Sequence, residues 1–499
     1  MRCAFARRMQ LIGHIAYLSA IVILSSAVSK ELLGQATVAV LVIGFLGSWR
    51  YSWAAINFTR AMLFQTIVHP RRKRAAQARF DAAGNPAHAF FLVTSYMIGT
   101  DTTIAVYRSI FQAAAAARDG ATIVVSIVDG ADERLIRQIY DVSPARPAGV
   151  RLILDRIPGT GKRDALARSF RLIARLQPTP HDVLVVADGD TCVPEDIVAQ
   201  IAPVFTDPKV GALTTDEAVS IPEDSLFRDW FKLRFDQRQV MMCSMGLSKR
   251  VLTLTGRMSA FRACLATNPG FIELVQADYI NHLRLGRVNF LTGDDKSTWF
   301  WLLKNGYQMI YLPDVQSISA ETQPKPTFYD SANALMVRWF GNMLRTNGRA
   351  LGLAPRQIGG FTWWSILDQR VSIWTTISGP ILALMAALTY DIALLAVYVA
   401  WIMFTRYIFV TLITAFRGRI GFPITYPFLL YFSQLYGALV KSFVLFRLDK
   451  QKWTRQAATG GGARLTVGQR MIAASSVYMN VLTFGWLLLA LFHFANGAN

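Results

Sequence analysis

VLVVADGDTCVPED, residues 183–196, is the stretch on which the fold turns. Val183 to Ala187 are all apolar and run directly into Asp188-Gly189-Asp190. The run is too short for a helix, and its β-branched bias is that of a strand buried on both faces of a parallel sheet. The two carboxylates that end it stand close enough to repel each other unless a positive charge lies between them. Taken alone, Asp-Gly-Asp serves equally well as a solvated turn. The surroundings decide.

Similar runs recur on both sides. AFFLVTSY (89–96), ATIVVSIVDG (121–130), VRLILD (150–155) and GALTTDEA (211–218) read as strands. TTIAVYRSIFQAAAAA, GKRDALARSFRLIARL and VPEDIVAQIAPVF, lying between them, have helical periodicity. This alternation predicts a parallel sheet covered by helices, an α/β domain whose ligands sit outside the carboxyl ends of the strands. Asp129, Asp132, Lys162, Asp188 and Asp190 all fall at such ends.

There, Asp188 and Asp190 can share a Mg2+ or Mn2+ whose other ligands are phosphate oxygens and water. GTGKRDA (159–165) adds Lys162 and Arg163 beside a glycine turn that opens a helix, a layout suited to a diphosphate. It is not a Walker A loop. In FLTGDDKSTWFWLLKNGYQMIYLPD (290–314), Asp294 and Asp295 open an amphipathic helix at its anion-favouring end. One of them suffices as a cap, which leaves the other as a general base for a sugar hydroxyl. VRWFGNMLRTNGRAL (337–351) sets Trp339 and Phe340 among Arg338, Arg345 and Arg349. That pattern fits an interfacial helix, and equally a Trp platform under a sugar.

Across its 499 residues the chain carries a net charge of +20, with 53% hydrophobic and only 17% charged residues. That is too little charge for a soluble enzyme of this size, while the polar middle is too long for a pure membrane bundle. The apolar residues crowd 11–65 and 361–494. Arg7, Arg8, the run Arg71-Arg72-Lys73-Arg74 and Arg79 flank the first two apolar segments, as the positive-inside rule requires, so the basic excess calls for no nucleic acid. Cys3, Cys192, Cys243 and Cys264 have no paired spacing, which argues against a disulfide framework or a zinc site.

Residues 11–28 and about 35–57 are expected to form a hairpin with both ends in the cytosol, in preference to a cleaved signal peptide. Residues 361–374 are expected at the interface, with spans near 375–390, 392–413 and 473–494. The stretch 423–446 is basic at both ends, so it is expected to lie in the interface or re-enter, which makes five crossings, with six as the alternative. The expected divisions are 1–70, an N-terminal transmembrane hairpin; 71–335, a cytosolic catalytic domain; 336–374, interfacial helices; and 375–499, a C-terminal membrane and channel region.

In order and spacing, Asp129, Asp188-x-Asp190, Thr292-Gly293-Asp294-Asp295 and Arg338-Trp339 resemble the motif set of processive family-2 glycosyltransferases, the membrane synthases of cellulose, chitin and hyaluronan. RYSWAAINFTRAM, IPGTGKRDALA, MCSMGLSKRVLTLTGRMSAFRA, VRWFGNMLRTNGRALGL and FRLDKQKWTRQ are similar to the catalytic subunits of bacterial alginate (mannuronan) synthases, a likeness that runs from about residue 40 to 456. The resemblance implies a Rossmann-like α/β GT-A domain inserted between α-helical transmembrane segments. It implies that Asp129 contacts the nucleotide, that Asp188 and Asp190 serve the diphosphate and its Mg2+ (or Mn2+), and that Asp295, beside Asp294, is the base. Arg338 and Trp339 match the Arg-Trp of a Gln-x-x-Arg-Trp motif whose Trp stacks on the acceptor sugar; Leu335 stands where that motif has Gln. Trp453 and Arg455 are similar to a cytosolic segment that approaches the nucleotide.

The reaction so implied adds mannuronate from GDP-mannuronate to a growing β-1,4-linked polymannuronate chain at the bacterial inner membrane, with inversion. The implied partners are a membrane co-polymerase subunit that binds cyclic di-GMP, and a periplasmic and outer-membrane alginate export complex. Arg257, Lys296 and Arg345 are candidates for the sugar carboxylates, although phospholipid or helix-end partners would explain each of them singly. The alternatives are a processive synthase using a UDP-sugar, a non-catalytic export scaffold, and a transferase with a lipid-phosphate acceptor.

Overall fold

The computed structural model describes residues 2–27, 29–451 and 466–496. Trp453 and Arg455 lie outside the described residues. The strands are β1 Ala89–Thr94, β2 Ala121–Ile127, β3 Arg151–Arg156, β4 Val183–Asp188, β5 Thr191–Cys192, β6 Val210–Ser220, β7 Met258–Arg262, β8 Tyr279–His282, β9 Gly286–Asn289 and β10 Gln308–Ala320. Eight of them form one sheet in the order β3-β2-β1-β4-β7-β6-β10-β5, and β8 and β9 form a separate antiparallel pair.

The apolar runs become strands because both faces of the sheet are covered. Phe91, Val93, Ile123, Val125 and Val185 point into one core, with Val106, Tyr107 and Ile110 of the helix Thr100–Ala115. Phe90, Leu92, Val124 and Leu184 point into the other, with Leu166 and Phe170 of the helix Lys162–Arg175 and Trp299 and Leu302 of the helix Asp294–Lys304. A period of two with no polar face leaves only apolar residues, as the sequence has.

The sheet is mixed, not parallel throughout. β1 pairs in parallel with β2 and β4, and β6 with β10, but β7 runs antiparallel between β4 and β6. β7 had no signal of its own, being five residues long and opened by a polar turn. Its direction matters: Met258 pairs with Ala187, so the chain preceding β7 turns beside the exit of β4.

Six helices are long and apolar enough to cross a membrane: Met9–Ser26, Thr37–Ala83, Gly360–Thr389, Ala393–Phe416, Thr425–Leu445 and Val467–His493. Two expected boundaries fall inside continuous helix. Residue 70 lies just past the π turn Phe64–Val68 that joins Thr37–Leu63 to His69–Ala83. Residues 361–374 are the first half of the unbroken helix Gly360–Thr389 rather than a separate interfacial piece. Their polar residues are matched along Thr37–Leu63, where Arg50 bonds Asp368 at 2.5 Å and Arg60 lies 3.6 Å from the ring centre of Phe361. The end of the catalytic division at 335 likewise falls within the helix Phe328–Leu351.

Thr425–Leu445 meets the sheet domain at both ends. Thr425 donates to Asp229 at 2.9 Å, while beyond the other end the carbonyl of Leu448 accepts from Arg345 at 3.0 Å and Gln451 accepts from the amide of Leu291 at 3.0 Å. The helix is continuous and is one of the six long and apolar enough to cross a membrane.

Arg417, just past Ala393–Phe416, ties the membrane helices to the domain. It bonds Asp216 of β6 at 2.8 Å and Asp236 at 3.0 Å, both buried. Removing one partner of such a pair leaves an uncompensated buried charge. Arg417→Met is expected to destabilise the protein by about 3 kcal/mol, read as a lower thermal midpoint in detergent. Adding Asp216→Asn should recover part of the loss; a double variant as unstable as the sum of the singles would contradict the pairing.

Candidate active site

Gly189 lets β4 end where it does. A Cβ there would lie 2.8 Å from the Ser95 hydroxyl and 2.9 Å from its Cα, so only glycine brings the exits of β1 and β4 together. Thr94 is in register with Asp188, whose amide donates to the carbonyl of Arg257 at 2.9 Å.

The positive charge that meets Asp188 is Lys162. Its Nζ lies 2.7 Å from Asp188 and 3.3 Å from Asp294, joining β4 to the start of the helix Asp294–Lys304. Gly256, in the turn before β7, leaves the space: a Cβ there would be 3.3 Å from that Nζ. Burial opposes the charge on Lys162, but Asp188 and Asp294 outweigh it and hold the ammonium above its ordinary range. Burial pushes the Asp188 carboxyl up to about 7; Lys162 works against this, and Asp190 and Asp294 add to it.

Asp294 and Asp295 reach the same place because Gly293 adopts φ +84°, where a Cβ would lie 2.8 Å from the side chain of Asn342. Asp294 is buried. Asp295 is half-buried and accepts a long hydrogen bond, 3.5 Å, from Thr253. Burial and then the charge of Asp294 raise its carboxyl, against Lys296 and Lys162. Arg338 stands over the same group: burial lowers it, while Glu321, Asp188 and Asp295 hold its proton. Asp129 ends β2 on the same sheet edge and caps the helix Gly130–Asp141 with one oxygen, accepting from Ala131 at 2.9 Å.

Several of the expected cations are held by partners within the protein. Arg163 turns inward and donates to the carbonyls of Val275 (2.8 Å) and Thr292 (3.2 Å) and to Ser297 (3.0 Å). Lys296 is buried, donates to the carbonyl of Leu252 at 2.7 Å, and is pushed down to about 8 by that burial. Arg345 bonds Leu448, Thr292 and Asn342. Arg257 is held by Glu321 at 2.5 Å, with Glu217 at 3.7 Å. Each of the four has a partner within the protein. Trp339 is not an open platform, since Trp230 stacks on it at 5.9 Å between centroids and 24° between planes.

Glu217, Glu321, Thr253, Trp230 and Asn342 had no signal in the sequence. Among the described residues no three His, Cys, Asp or Glu side chains converge to hold a metal by themselves.

A strand-end acid pair, a lysine bridging it to a second acid pair on a helix, and an acid-facing arginine are the equipment of a nucleotide-sugar transferase on an α/β sheet. The family described as "Glycosyltransferase like family 2" matches residues 86–342, and the chain belongs to it: it is a glycosyltransferase of GT-A-like fold, flanked by membrane-length apolar helices. At the level of whole-chain relatives, it is 44% identical over 450 residues to Glycosyltransferase alg8 of Pseudomonas syringae pv. tomato (strain ATCC BAA-871 / DC3000), covering 90% of each. It is 41% identical over 447 residues to Glycosyltransferase alg8 of Azotobacter vinelandii, covering 89% of this chain and 90% of that one. Overlap with the solved mannosyltransferase PcManGT from Pyrobaculum calidifontis covers 77% of this chain and 98% of that one at 17% identity, with a TM-score of only 0.41, and adds nothing to the assignment.

Proposed function

We propose that the protein is a processive, inverting glycosyltransferase that polymerises mannuronate from GDP-mannuronate into β-1,4-linked polymannuronate, with its catalytic domain in the cytoplasm and its helices in the inner membrane. The observation that carries this reading is Lys162 bridging Asp188 to Asp294, with Asp295 and Arg338 around it and membrane helices packed behind. A growing chain held there has the membrane as its next neighbour. The likeness of the chain to glycosyltransferases named alg8 supports this reading; the partners it implies are a cyclic di-GMP-binding co-polymerase and an alginate export complex.

Asp188 and Asp190 fit a Mg2+ or Mn2+. Burial first, and then the neighbouring charges of Asp190 and Asp294, raise the Asp188 carboxyl against Lys162, and a divalent ion would offset these charges. Two protein carboxylates with phosphate oxygens and water make an ordinary set of hard ligands. When bound, such an ion offsets the charge that develops on the departing GDP. Lys162 donates to a diphosphate oxygen in the same role. Asp295 accepts the proton of the attacking sugar hydroxyl, and its raised pKa suits it to that task. With no second carboxylate in a nucleophile's place, the displacement is single and the anomeric centre inverts. Asp129, with one oxygen unused by its cap, meets the nucleoside.

Incubating membranes that contain the protein and its co-polymerase with labelled GDP-mannuronate, Mg2+ and cyclic di-GMP should yield polymer that alginate lyase digests. Product from a UDP-sugar instead would keep the family and sink the donor; no product from any sugar nucleotide would favour an export scaffold.

The pH dependence of donor binding has a definite sign. Below about 7 Asp188 takes up a proton, so the affinity for GDP with Mg2+ is expected to fall by up to about tenfold per pH unit. Asp188→Asn should flatten that slope. Ligand-free stability runs the other way. From about 7 down to roughly 4 the folded chain holds a proton that the unfolded chain lacks, so this group adds stability as pH falls. Calorimetric titrations with GDP across this window would show a flat profile if Asp188 were not a ligand to the complex.

A further inference from the structure

The cations first expected to read the sugar carboxylates, Arg257, Lys296 and Arg345, all have partners within the protein. A different pair does not. Arg234, on the helix Leu226–Gly246, makes no hydrogen bond or ion pair among the described residues; its guanidinium carbon lies 4.4 Å from the ring centre of Trp339 and 5.2 Å from that of Trp230. Burial and the neighbouring charge of Arg257 push it down to about 10. Lys441, on Thr425–Leu445, has no hydrogen bond or ion pair among the described residues either, and its Nζ lies 4.7 Å from the ring centre of Phe340. The charges within its reach are Arg234, Arg50 and Asp368, and Asp368 is already held by Arg50.

Trp339 and Phe340 follow Arg338, which faces the catalytic acids. The unpaired cations therefore stand just beyond the site, at the junction of three helices: Leu226–Gly246, Phe328–Leu351 and Thr425–Leu445. The junction is built, not incidental. Trp230 is fully buried, bonded to Ser433 at 2.8 Å and stacked on Trp339. Gly437 leaves room for the Phe340 ring, whose nearest atoms would lie 3.5 Å from an added Cβ. Two half-buried cations without counter-ions lose part of their hydration, which costs stability. Aromatic faces offset part of this, worth about 1 to 2 kcal/mol for each cation. A ligand that brings its own anions removes the rest.

We propose that Arg234 and Lys441 form an anion site beside Trp339 that holds carboxylates of the polyuronate chain as it leaves the catalytic acids. This rests on the polymannuronate reading and deepens it, because a neutral polymer has no use for two unpaired cations. Arg234 offers its planar fork to a carboxylate while the ring edge of Trp339 meets the sugar. Lys441 meets a carboxylate from the opposite wall.

The test uses the full-length protein in phosphatidylcholine nanodiscs and two labelled probes of equal length, an oligomannuronate and a neutral β-1,4-oligomannan. Wild type is expected to prefer the oligomannuronate. Arg234→Gln and Lys441→Met should each cut that preference by about tenfold, with the affinity for the neutral oligomer changed by less than about twofold. Arg234→Lys should keep most of the preference. Equal losses for both probes would mark the residues as packing groups and overturn the site. A preference that vanishes in phosphatidylglycerol nanodiscs would assign the pair to a lipid phosphate and overturn it too. Undiminished preference in the variants, with wild type making polymer from GDP-mannuronate, would remove this site and leave the proposed function standing. Wild type that makes polymer only from a UDP-sugar would remove both.

Discussion

Asp295→Asn is expected to lower the rate of sugar transfer by about a thousandfold, within the range set by general-base catalysis, and to change the KM for GDP-mannuronate little. The argument is geometric before it is electrostatic. Of the two acids that open the helix Asp294–Lys304, Asp294 is buried against Lys162, whereas Asp295 is half-buried and is held by the backbone amide of Lys296 and a long contact from Thr253. Asp295 thus has an oxygen for an incoming hydroxyl, and Asp294 is committed to the ammonium. Asn keeps the shape and loses the proton acceptor. Single-turnover rates with saturating donor would isolate the chemical step. A variant with near-normal rates, or one whose defect lies in KM, would take the base role away from Asp295. Asp294→Asn makes the contrast, since its effect should reach donor binding through Lys162.

Lys162→Met is expected to be the more damaging change, because it acts on both folding and donor binding. Lys162 is the cation that separates Asp188 from Asp294, and without it a buried and a half-buried carboxylate face each other. Breaking a buried pair from one side costs about 3 to 5 kcal/mol. Part of this is relieved when Asp188 takes up a proton, which the loss of Lys162 makes easier, so the variant should be less crippled in stability as pH falls. Donor affinity should fall at least tenfold at any pH, since a charge-assisted bond to the diphosphate is gone. Lys162→Arg should not rescue, because Gly256 lies where a larger guanidinium would go. Thermal midpoints and GDP binding across pH 5.5 to 8, roughly the window of that titration, would check both. A stable variant with normal GDP affinity would show that Lys162 only fills space.

Much of the sheet was legible in the sequence. The runs ending at Thr94, Ile127 and Asp188 are buried on both faces and largely apolar, a pattern that marks them as strands. β10 was hidden by Pro313 and by a shift in register between Leu312 and Gln316, which interrupt its alternation. The site acids were readable at the ends of their elements; the roles of the cations were not. Lys162 and Arg163 are neighbours at the start of one helix, where successive side chains diverge by about a quarter turn. One meets the acids, and the other reaches back to Thr292 and Val275.

The sequence by itself determined where apolar and charged residues alternate, which segments suit a membrane, and which acids stand at strand and helix ends. Each of these depends on neighbours along the chain, whose spacing a period of two or of 3.6 converts directly into direction. Which charges face each other was decided by tertiary structure alone. Lys162 meets Asp294, Arg417 meets Asp216, and Arg234 meets no acid among the described residues, because β7 runs backwards beside β4 and three helices cross at Trp339. The energy of a charge depends on what lies within a few ångströms of it in space, and distance along the chain carries no information about that.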